Sequence, residues 1–333
     1  MESPSANATT PSKIRTVLGD IEPSSLGLTL GHDHLMTHPP EDVTDSDLVM
    51  DDLEAATREL ELFKKVGGGA VVEMTTVDYG RDAGELEQIS RASGVHVIAA
   101  TGFNKGVFAD RLTQHLLPEE ISGWMIAEVT RGIRQFSGLQ PRRENVPHVR
   151  AGIIKASSSL NGANENELVV LEAAAQAHRI TNAPISTHTE KGTWALGQIA
   201  LFMDFAVNPS KVLIGHLDLK PELPYLLEVA KTGVNIGLDQ FGKEKYLPDF
   251  ERVNLILKLC EAGFEQQIII GGDMARKSYF KSYGGNPGLE HIPITVKHML
   301  AQAGLSSATI DNILMHNPRR WLEFEPKAFR GNT

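Results

Sequence analysis

Eight short apolar runs, each separated from the next by a longer stretch with helical spacing, constrain the fold of this chain more than any other feature. Several runs lack a clean alternation of polar and apolar residues, which is typical of parallel strands buried on both faces. Between the runs, apolar residues recur three and four positions apart, as in 53–63 and 253–260, which predicts amphipathic helices. The predicted strands span residues 28–31, 69–75, 96–103, 151–156, 184–189, 212–217, 234–239 and 268–273.

Eight strands that alternate with helices predict an α/β protein of the (β/α)8 TIM-barrel class. A doubly wound open sheet is the alternative, but no Gly-x-Gly-x-x-Gly motif follows an early strand. We expect residues 13–333 to form a single barrel domain. Residues 1–12, rich in Ser, Pro, Ala and Thr, are expected to form a disordered tail. The segment 138–147 is predicted to be a loop, because the same rhythm continues on both sides of it.

The composition argues against several classes of partner. Acidic residues outnumber basic ones by 42 to 32, and the net charge of −10 predicts no binding to nucleic acid or to an anionic membrane. No apolar stretch is long enough to span a bilayer, and the first residues do not resemble a secretory signal. The single cysteine, Cys260, excludes an internal disulfide, so we expect a cytoplasmic protein. The expected partner is a small molecule.

Residues suited to binding metal stand at the ends of five predicted strands. In a barrel, the carboxyl ends of all strands meet at one face, where catalytic residues lie. Imidazole and carboxylate groups suit Zn²⁺ and similar divalent ions. We therefore expect one metal site at that face, built from His32, His34, Lys155, His188, His216 and Asp273.

Lys155 is the unusual member of this set. An ammonium group in a buried strand loses its hydration, which depresses its pKa and favours the neutral amine. A neutral amine can react with CO₂ to give a carbamate, a carboxylate able to bridge two metal ions. The alternative for Lys155 is an ion pair with a buried acid such as Glu73. The alternative for His188 and His216 is a hydrogen bond to the backbone within the core.

Short motifs spread along nearly the whole predicted domain carry a resemblance to a known family. They are TVLG at 16–19, GHDHL at 31–35, AGIIK at 151–155, His188, GHLD at 215–218, Asp273 and Asn317-Pro318. On these motifs the chain resembles the phosphotriesterase-like branch of the amidohydrolase superfamily. The resemblance implies a (β/α)8 hydrolase, and because members of this family often form dimers it also implies a homodimer.

The resemblance further implies a binuclear metal centre. One divalent ion would be held by His32, His34 and Asp273, the other by His188 and His216, with Lys155, carboxylated on its side-chain nitrogen, bridging both. The implied ions are Zn²⁺, with Mn²⁺ or Co²⁺ as alternatives. A hydroxide shared between the ions would attack the substrate.

Two aspartates have predicted roles beside the metals. Asp273 is expected to accept the proton of the attacking hydroxide and to deliver it to the leaving alkoxide. Asp218 closely follows His216 in the sequence. We predict that Asp218 either supports the metal ligands from behind or relays a proton. The alternative is that Asp218 caps the helix that follows.

Basic side chains in the loops after the strands favour an anionic substrate. The strings GKEKY at 242–246 and DMARKSY at 273–279 resemble the subgroup that hydrolyses sugar lactones carrying a terminal phosphate. This implies a furanose 1,4-lactone 5-phosphate as substrate; a neutral lactone or an organophosphate triester is the alternative. The residues expected to bind the phosphate are Arg276, Tyr279 and one of Lys243 and Lys245. The loop 274–290 is predicted either to close over the ligand or to stay an ordered surface loop.

Overall fold

The computed structural model describes residues 11–137, 140–141 and 148–326 of the 333-residue chain. Most of the tail predicted for 1–12 and most of the loop predicted for 138–147 lie outside the described residues, so both stay predictions.

Eight parallel strands form the barrel, and each coincides with one of the predicted apolar runs. In chain order the strands are β1 Ile14–Thr16, β2 Gly19–Ile21, β3 Leu28–Asp33, β4 Gly68–Glu73, β5 His96–Gly102, β6 Phe136–Ser137, β7 Gln140–Pro141, β8 Ile153–Ser158, β9 Ile185–Thr189, β10 Val212–Ile214, β11 Asn235–Leu238 and β12 Ile268–Ile270. β1 pairs with β2 and β6 with β7 in antiparallel hairpins, and the other eight are the barrel strands. The predicted (β/α)8 barrel is confirmed.

The barrel closes where β12 meets β3. The Asp273 backbone N–H donates to the His32 carbonyl across a distance of 2.9 Å. A glycine at position 271 makes this approach feasible, because a Cβ there would lie 2.6 Å from the His32 carbonyl oxygen. The buried Asp33 carboxylate adds two bonds, accepting from the N–H groups of Gly272 at 3.3 Å and Met274 at 3.0 Å. The first and last strands are thereby joined beside the metal-type residues.

Helices surround the strands and alternate with them. They are α1 Leu53–Lys65, α2 Ala83–Ser93, α3 Val107–Thr113, α4 Pro118–Thr130, α5 Glu165–Thr181, α6 Ala195–Asp204, α7 Leu223–Lys231, α8 Asp249–Glu261, α9 Lys297–Gln302, α10 Ser307–Asp311 and α11 Asn317–Leu322. In α1 the Asp52 carboxylate caps the helix by accepting from Ala55 N–H at 2.9 Å. No helix in the described ranges is both long and apolar enough to cross a membrane.

The strands lack polar alternation because both of their faces are buried. On β4, Val71 packs in the large cluster that also contains α1 residues, whereas its neighbour Val72 packs in a second cluster with Ile98 and Leu213 from other strands. Successive side chains of a strand point to opposite faces. One face of the sheet therefore packs against the helices and the other fills the barrel.

Candidate metal centre

The structure brings all six predicted metal-type residues to one cavity of about 200 Å³ at the carboxyl ends of the strands. Their elements are β3 for His32, β8 for Lys155 and β9 for His188, while the other three lie just beyond β3, β10 and β12. The cavity is lined by His32, His34, Met74, Tyr79, Asn104, Lys105, Phe108, Lys155, His188, His216, Asp273 and Ala275.

Asp273 forms one cluster of potential ligands with two histidines. Its Oδ1 atom lies 3.3 Å from His34 Nε2 and 3.5 Å from His32 Nε2. The three potential ligand atoms all lie within 4.8 Å of one another. Two imidazole nitrogens and one carboxylate oxygen at this spacing fit a divalent cation such as Zn²⁺.

His188 and His216 continue the row of imidazoles on the other side of His32. The ring centroids of His32 and His216 are 4.8 Å apart, and those of His188 and His216 are 4.6 Å apart. His188 Nε2 is buried and has no hydrogen-bond partner among the described residues. A buried polar atom normally finds a partner, so this nitrogen is suited to binding a metal ion.

Lys155 lies between these groups with little compensation for its burial. It is 3% exposed, and its Nζ lies 3.4 Å from His32 Nε2. Burial lowers the pKa of Lys155 to about 8, against the opposing effect of the Asp273 and Asp239 carboxylates. Burial and the neighbouring Lys155 lower the pKa of His32 to about 3. Neutral nitrogens at both positions are the forms that react with CO₂ or bind a metal ion.

The alternative ion pair between Lys155 and Glu73 is not formed. Glu73 instead accepts hydrogen bonds from the backbone N–H groups of Leu35 and, at 2.8 Å, Thr75. Within the described part of the chain, Lys155 makes no ion pair with any carboxylate. A buried lysine without an acidic partner fits a group that is modified rather than one that is neutralised by a neighbour.

Asp239 is a site residue that the sequence reasoning missed. It is buried, and its Oδ1 accepts from His216 Nδ1 at 2.7 Å while Oδ2 lies 3.1 Å from His32 Nδ1. Burial alone would raise the pKa of Asp239, but His216 and His32 hold it well below the usual range. A carboxylate on Nδ1 leaves Nε2 free to bind a metal. Asp239 could have been predicted from the sequence, because it ends the seventh predicted strand, as the other site residues end theirs.

Asp218 contacts the backbone of Asp239 and Gln240 and the side chain of Arg252. Its carboxylate accepts from Arg252 Nε at 2.7 Å and from the backbone N–H groups of Asp239 at 3.3 Å and Gln240 at 3.1 Å. It therefore holds the segment that carries Asp239, the carboxylate that contacts His216 and His32, and it does not cap the helix that follows.

The two candidate lysines for phosphate binding differ in exposure, although the Lys243 ammonium also lies beside Tyr279, 5.5 Å from the centre of its ring. Lys243 is 6% exposed, and its Nζ donates to Asp273 Oδ2 at 2.6 Å. Lys245 is exposed, and its Nζ lies 5.8 Å from the centre of the Tyr279 ring and 4.8 Å from that of Tyr246. Of these two lysines, Lys245 is the one that is exposed to solvent.

Arg276 has an internal anionic partner. Its Nη1 donates to Asp45 Oδ2 at 2.6 Å and lies 3.4 Å from Asp47 Oδ2. Asp45 and Asp47 belong to the segment between β3 and α1. A phosphate that binds Arg276 must therefore share the guanidinium with these carboxylates or displace them.

The loop 274–290 is hydrogen-bonded to α1 and to the segment that precedes α1. Asp47 accepts from the Ser278 backbone N–H at 2.8 Å. The Glu59 carboxylate accepts from the N–H groups of Ser282 and Leu289, both at 2.9 Å. These contacts describe an ordered surface loop in this structure.

Fold and site together define the protein as a (β/α)8 barrel with a candidate metal centre at the carboxyl ends of its strands. The chain belongs to the phosphotriesterase family, whose model matches residues 12–322, and the resemblance noted from the motifs is thereby confirmed. It is 33% identical to a phospho-furanose lactonase of Mycoplasmopsis synoviae, over 94% of this chain and 92% of that protein.

Solved structures of relatives superpose over nearly the whole chain. A lactonase from Listeria monocytogenes has a TM-score of 0.87 and 32% identity, covering 95% of this chain and 100% of the other. The phosphotriesterase homology protein of Escherichia coli, solved with phosphate in its active site, has a TM-score of 0.83 and 30% identity, covering 90% and 99%.

Proposed function

We propose that the protein is a metal-dependent lactonase that opens a furanose 1,4-lactone carrying a 5-phosphate. The observation that carries this proposal is the meeting of four histidines, a lysine and an aspartate in one cavity, with an exposed lysine, an arginine and a tyrosine on the adjacent loops. The relative from Mycoplasmopsis synoviae is named as a phospho-furanose lactonase.

The donor set supports two divalent ions, which we propose to be Zn²⁺, with Mn²⁺ or Co²⁺ as substitutes. His32, His34 and Asp273 would hold one ion and His188 and His216 the other, with Lys155, carboxylated by CO₂, as the shared ligand. When bound, such ions lower the pKa of a water molecule to about 7 and polarise a carbonyl oxygen. The low pKa of Lys155 supports its reaction with CO₂.

Asp273 is suited to move the proton. Its Oδ2 is held by Lys243 at 2.6 Å and by Gln240 Nε2 at 2.7 Å, so Oδ1 is the oxygen that faces the cavity. Although burial by itself would raise the pKa of Asp273, the Lys243 ammonium and the His34 hydrogen bond hold it well below the usual range. Asp273 is therefore a carboxylate before reaction, ready to take the proton of the attacking water and return it to the ring oxygen that leaves.

The phosphate would be bound by Lys245, Arg276 and Tyr279. Lys245 and Arg276 supply two positive charges, and the Tyr279 hydroxyl supplies a neutral donor. Arginine and lysine pair well with phosphate oxygens. An unphosphorylated lactone would make no contact with these donors, which favours the phosphorylated substrate.

The test compares a five-carbon furanose lactone 5-phosphate with the same lactone lacking phosphate, using metal-loaded enzyme and a pH indicator to follow ring opening. Two charge-assisted bonds of about 1.5 kcal/mol each predict a preference in kcat/KM of about a hundredfold. Asp273→Asn should abolish both activities, while Lys258→Met, on the exposed face of α8, should change neither. Equal rates for the two lactones would refute the phosphate site and leave a neutral lactonase. No ring opening of either lactone would refute the lactonase assignment and favour an organophosphate triester.

A further inference from the structure

Lys243 directs its ammonium group into the protein. Its Nζ donates to three acceptors, Asp273 Oδ2 at 2.6 Å, Gln240 Oε1 at 2.9 Å and the Asp273 backbone carbonyl. An ammonium group has three protons to donate. All three are therefore engaged, and a phosphate oxygen could bind Lys243 only by breaking one of these bonds.

Asp273 is a residue that needs to be held in place. Its backbone φ is +45°, in the left-handed region that favours glycine. Lys243 contacts both the backbone carbonyl and the side chain of this one residue. It thus fixes the strained backbone and the carboxylate orientation together.

Gln240 completes the arrangement. Its Nε2 donates to Asp273 Oδ2 at 2.7 Å, while its Oε1 accepts from Lys243. Oδ2 therefore receives two donors, and Oδ1 is left facing His32 and His34. A carboxylate with one oxygen occupied in this way presents the other oxygen in a defined direction.

The segment that carries Gln240 and Lys243 is itself anchored. Asp218 accepts from the Gln240 backbone N–H at 3.1 Å, and Asp249 accepts from the Gly242 N–H at 3.0 Å. Arg252 joins these two carboxylates, donating to Asp218 at 2.7 Å and to Asp249 at 2.9 Å. Lys243 therefore extends from a rigid support rather than from a free loop.

We propose that Lys243, assisted by Gln240, is a positioning residue of the metal centre, which holds Asp273 so that Oδ1 is presented to the ion beside His32 and His34. This inference rests on the proposed metal site and deepens it. It gives the two lysines of the loop different tasks: Lys243 supports a ligand, and Lys245 faces the substrate.

The experiment measures the Zn²⁺ dissociation constant by competition with a chromophoric chelator, and kcat and KM on both lactones, for the wild type and Lys243→Met. Loss of a residue that orients a metal ligand typically lowers metal affinity or activity by about 10–100-fold. We expect Zn²⁺ binding to weaken by about that factor, and kcat to fall by the same factor on both lactones. KM for the phosphorylated lactone should stay the same.

The direction of the Zn²⁺ effect makes the test decisive. Removing a nearby positive charge would by itself tighten the binding of a cation, so weaker binding supports the positioning role. An unchanged or tighter Zn²⁺ dissociation constant would overturn the proposal. A defect confined to KM for the phosphorylated lactone would also overturn it and make Lys243 a phosphate ligand.

A second variant guards against misfolding of the first. Gln240→Met removes the other donor to Asp273 Oδ2 without changing any charge, and it should weaken Zn²⁺ binding in the same direction. If Lys243→Met does not fold, an unchanged Zn²⁺ affinity in Gln240→Met overturns the proposal. Lys258→Met serves as the control for loss of a lysine.

A wild-type protein that binds no Zn²⁺ would refute the proposed metal site, and the inference with it. Normal Zn²⁺ binding by the wild type and by both variants would refute the inference alone.

Discussion

Replacing Arg276 by Met should weaken the binding of a phosphorylated lactone while leaving kcat nearly unchanged. Arg276 follows Ala275, which lines the cavity, in the sequence. Its guanidinium group pairs with Asp45 and not with a candidate metal ligand. Loss of a contact to a distant part of the substrate, made equally in the ground state and the transition state, raises KM without lowering kcat. The effect should therefore appear in KM, and only for the substrate with phosphate.

The expected size follows from the surroundings of Arg276. A hydrogen bond to a charged group contributes about 1.5–3 kcal/mol, which corresponds to a change in affinity of about 10- to 150-fold. Two observations place the value at the lower end. The Arg276 side chain is 33% exposed, so solvent screens its charge, and it already pairs with Asp45 at 2.6 Å. The phosphate replaces one anionic partner by another, and we expect KM to rise about tenfold.

A matched variant tests the same reasoning in the opposite direction. Asp45→Asn removes the carboxylate that competes for Arg276, so KM for the phosphorylated lactone should fall about two- to fivefold, the range of an exposed ion pair. Initial rates with a pH indicator, on both lactones and for both variants, give the comparison. An unchanged KM in Arg276→Met, or an equal change on the two lactones, would show that Arg276 does not bind the phosphate.

Three further outcomes are expected. Arg252→Met should lower the free energy of unfolding by about 3–5 kcal/mol in urea titrations, because it leaves the buried carboxylate of Asp218 without its cation; a loss below about 1 kcal/mol would contradict this. Burial raises the pKa of Asp78 to about 6, from an unfolded value of about 3.9. The folded state therefore binds the extra proton, and stability should fall as pH rises from about 4 to 6, by up to roughly 2–3 kcal/mol. Asp78→Asn, which can still accept from the Asn104 N–H, should lose this dependence in melts across that range, and an unaltered pH profile would contradict the assignment. Dialysis against a chelator should abolish lactone hydrolysis and lower Tm, with recovery on adding Zn²⁺ and bicarbonate; full activity in metal-free protein would refute the metal requirement.

The barrel could be predicted from the sequence because its signal is local. Each strand is a short run of residues buried on both faces, and each run is followed by helical spacing, so neither feature depends on distant contacts. The convergence of His32, Lys155 and Asp273 follows from the fold alone, since parallel strands of a barrel end at one face.

What could not be predicted depends on side-chain direction within loops. Lys243 and Lys245 are two positions apart and chemically identical, yet only Lys243 reaches Asp273. The Arg276 pair with Asp45 joins loops far apart in the chain and has no local signature. Asp239 is the exception, because it occupies the same strand-end position as the histidines and could have been recognised by that place.

The seam between β3 and β12 makes the candidate metal centre a product of completed folding. His32 belongs to the first barrel strand and Asp273 follows the last, so the two can face each other only after nearly the entire chain has been synthesised and the ring has closed. Bringing such distant segments together costs loop-closure entropy. In the folded barrel this cost has been compensated by folding, so the metal ligands are already in place. An ion that binds only the closed form adds stability by mass action, about 2.7 kcal/mol at a hundred times its Kd. The rate of metal binding during refolding would thus measure how fast β3 and β12 come together.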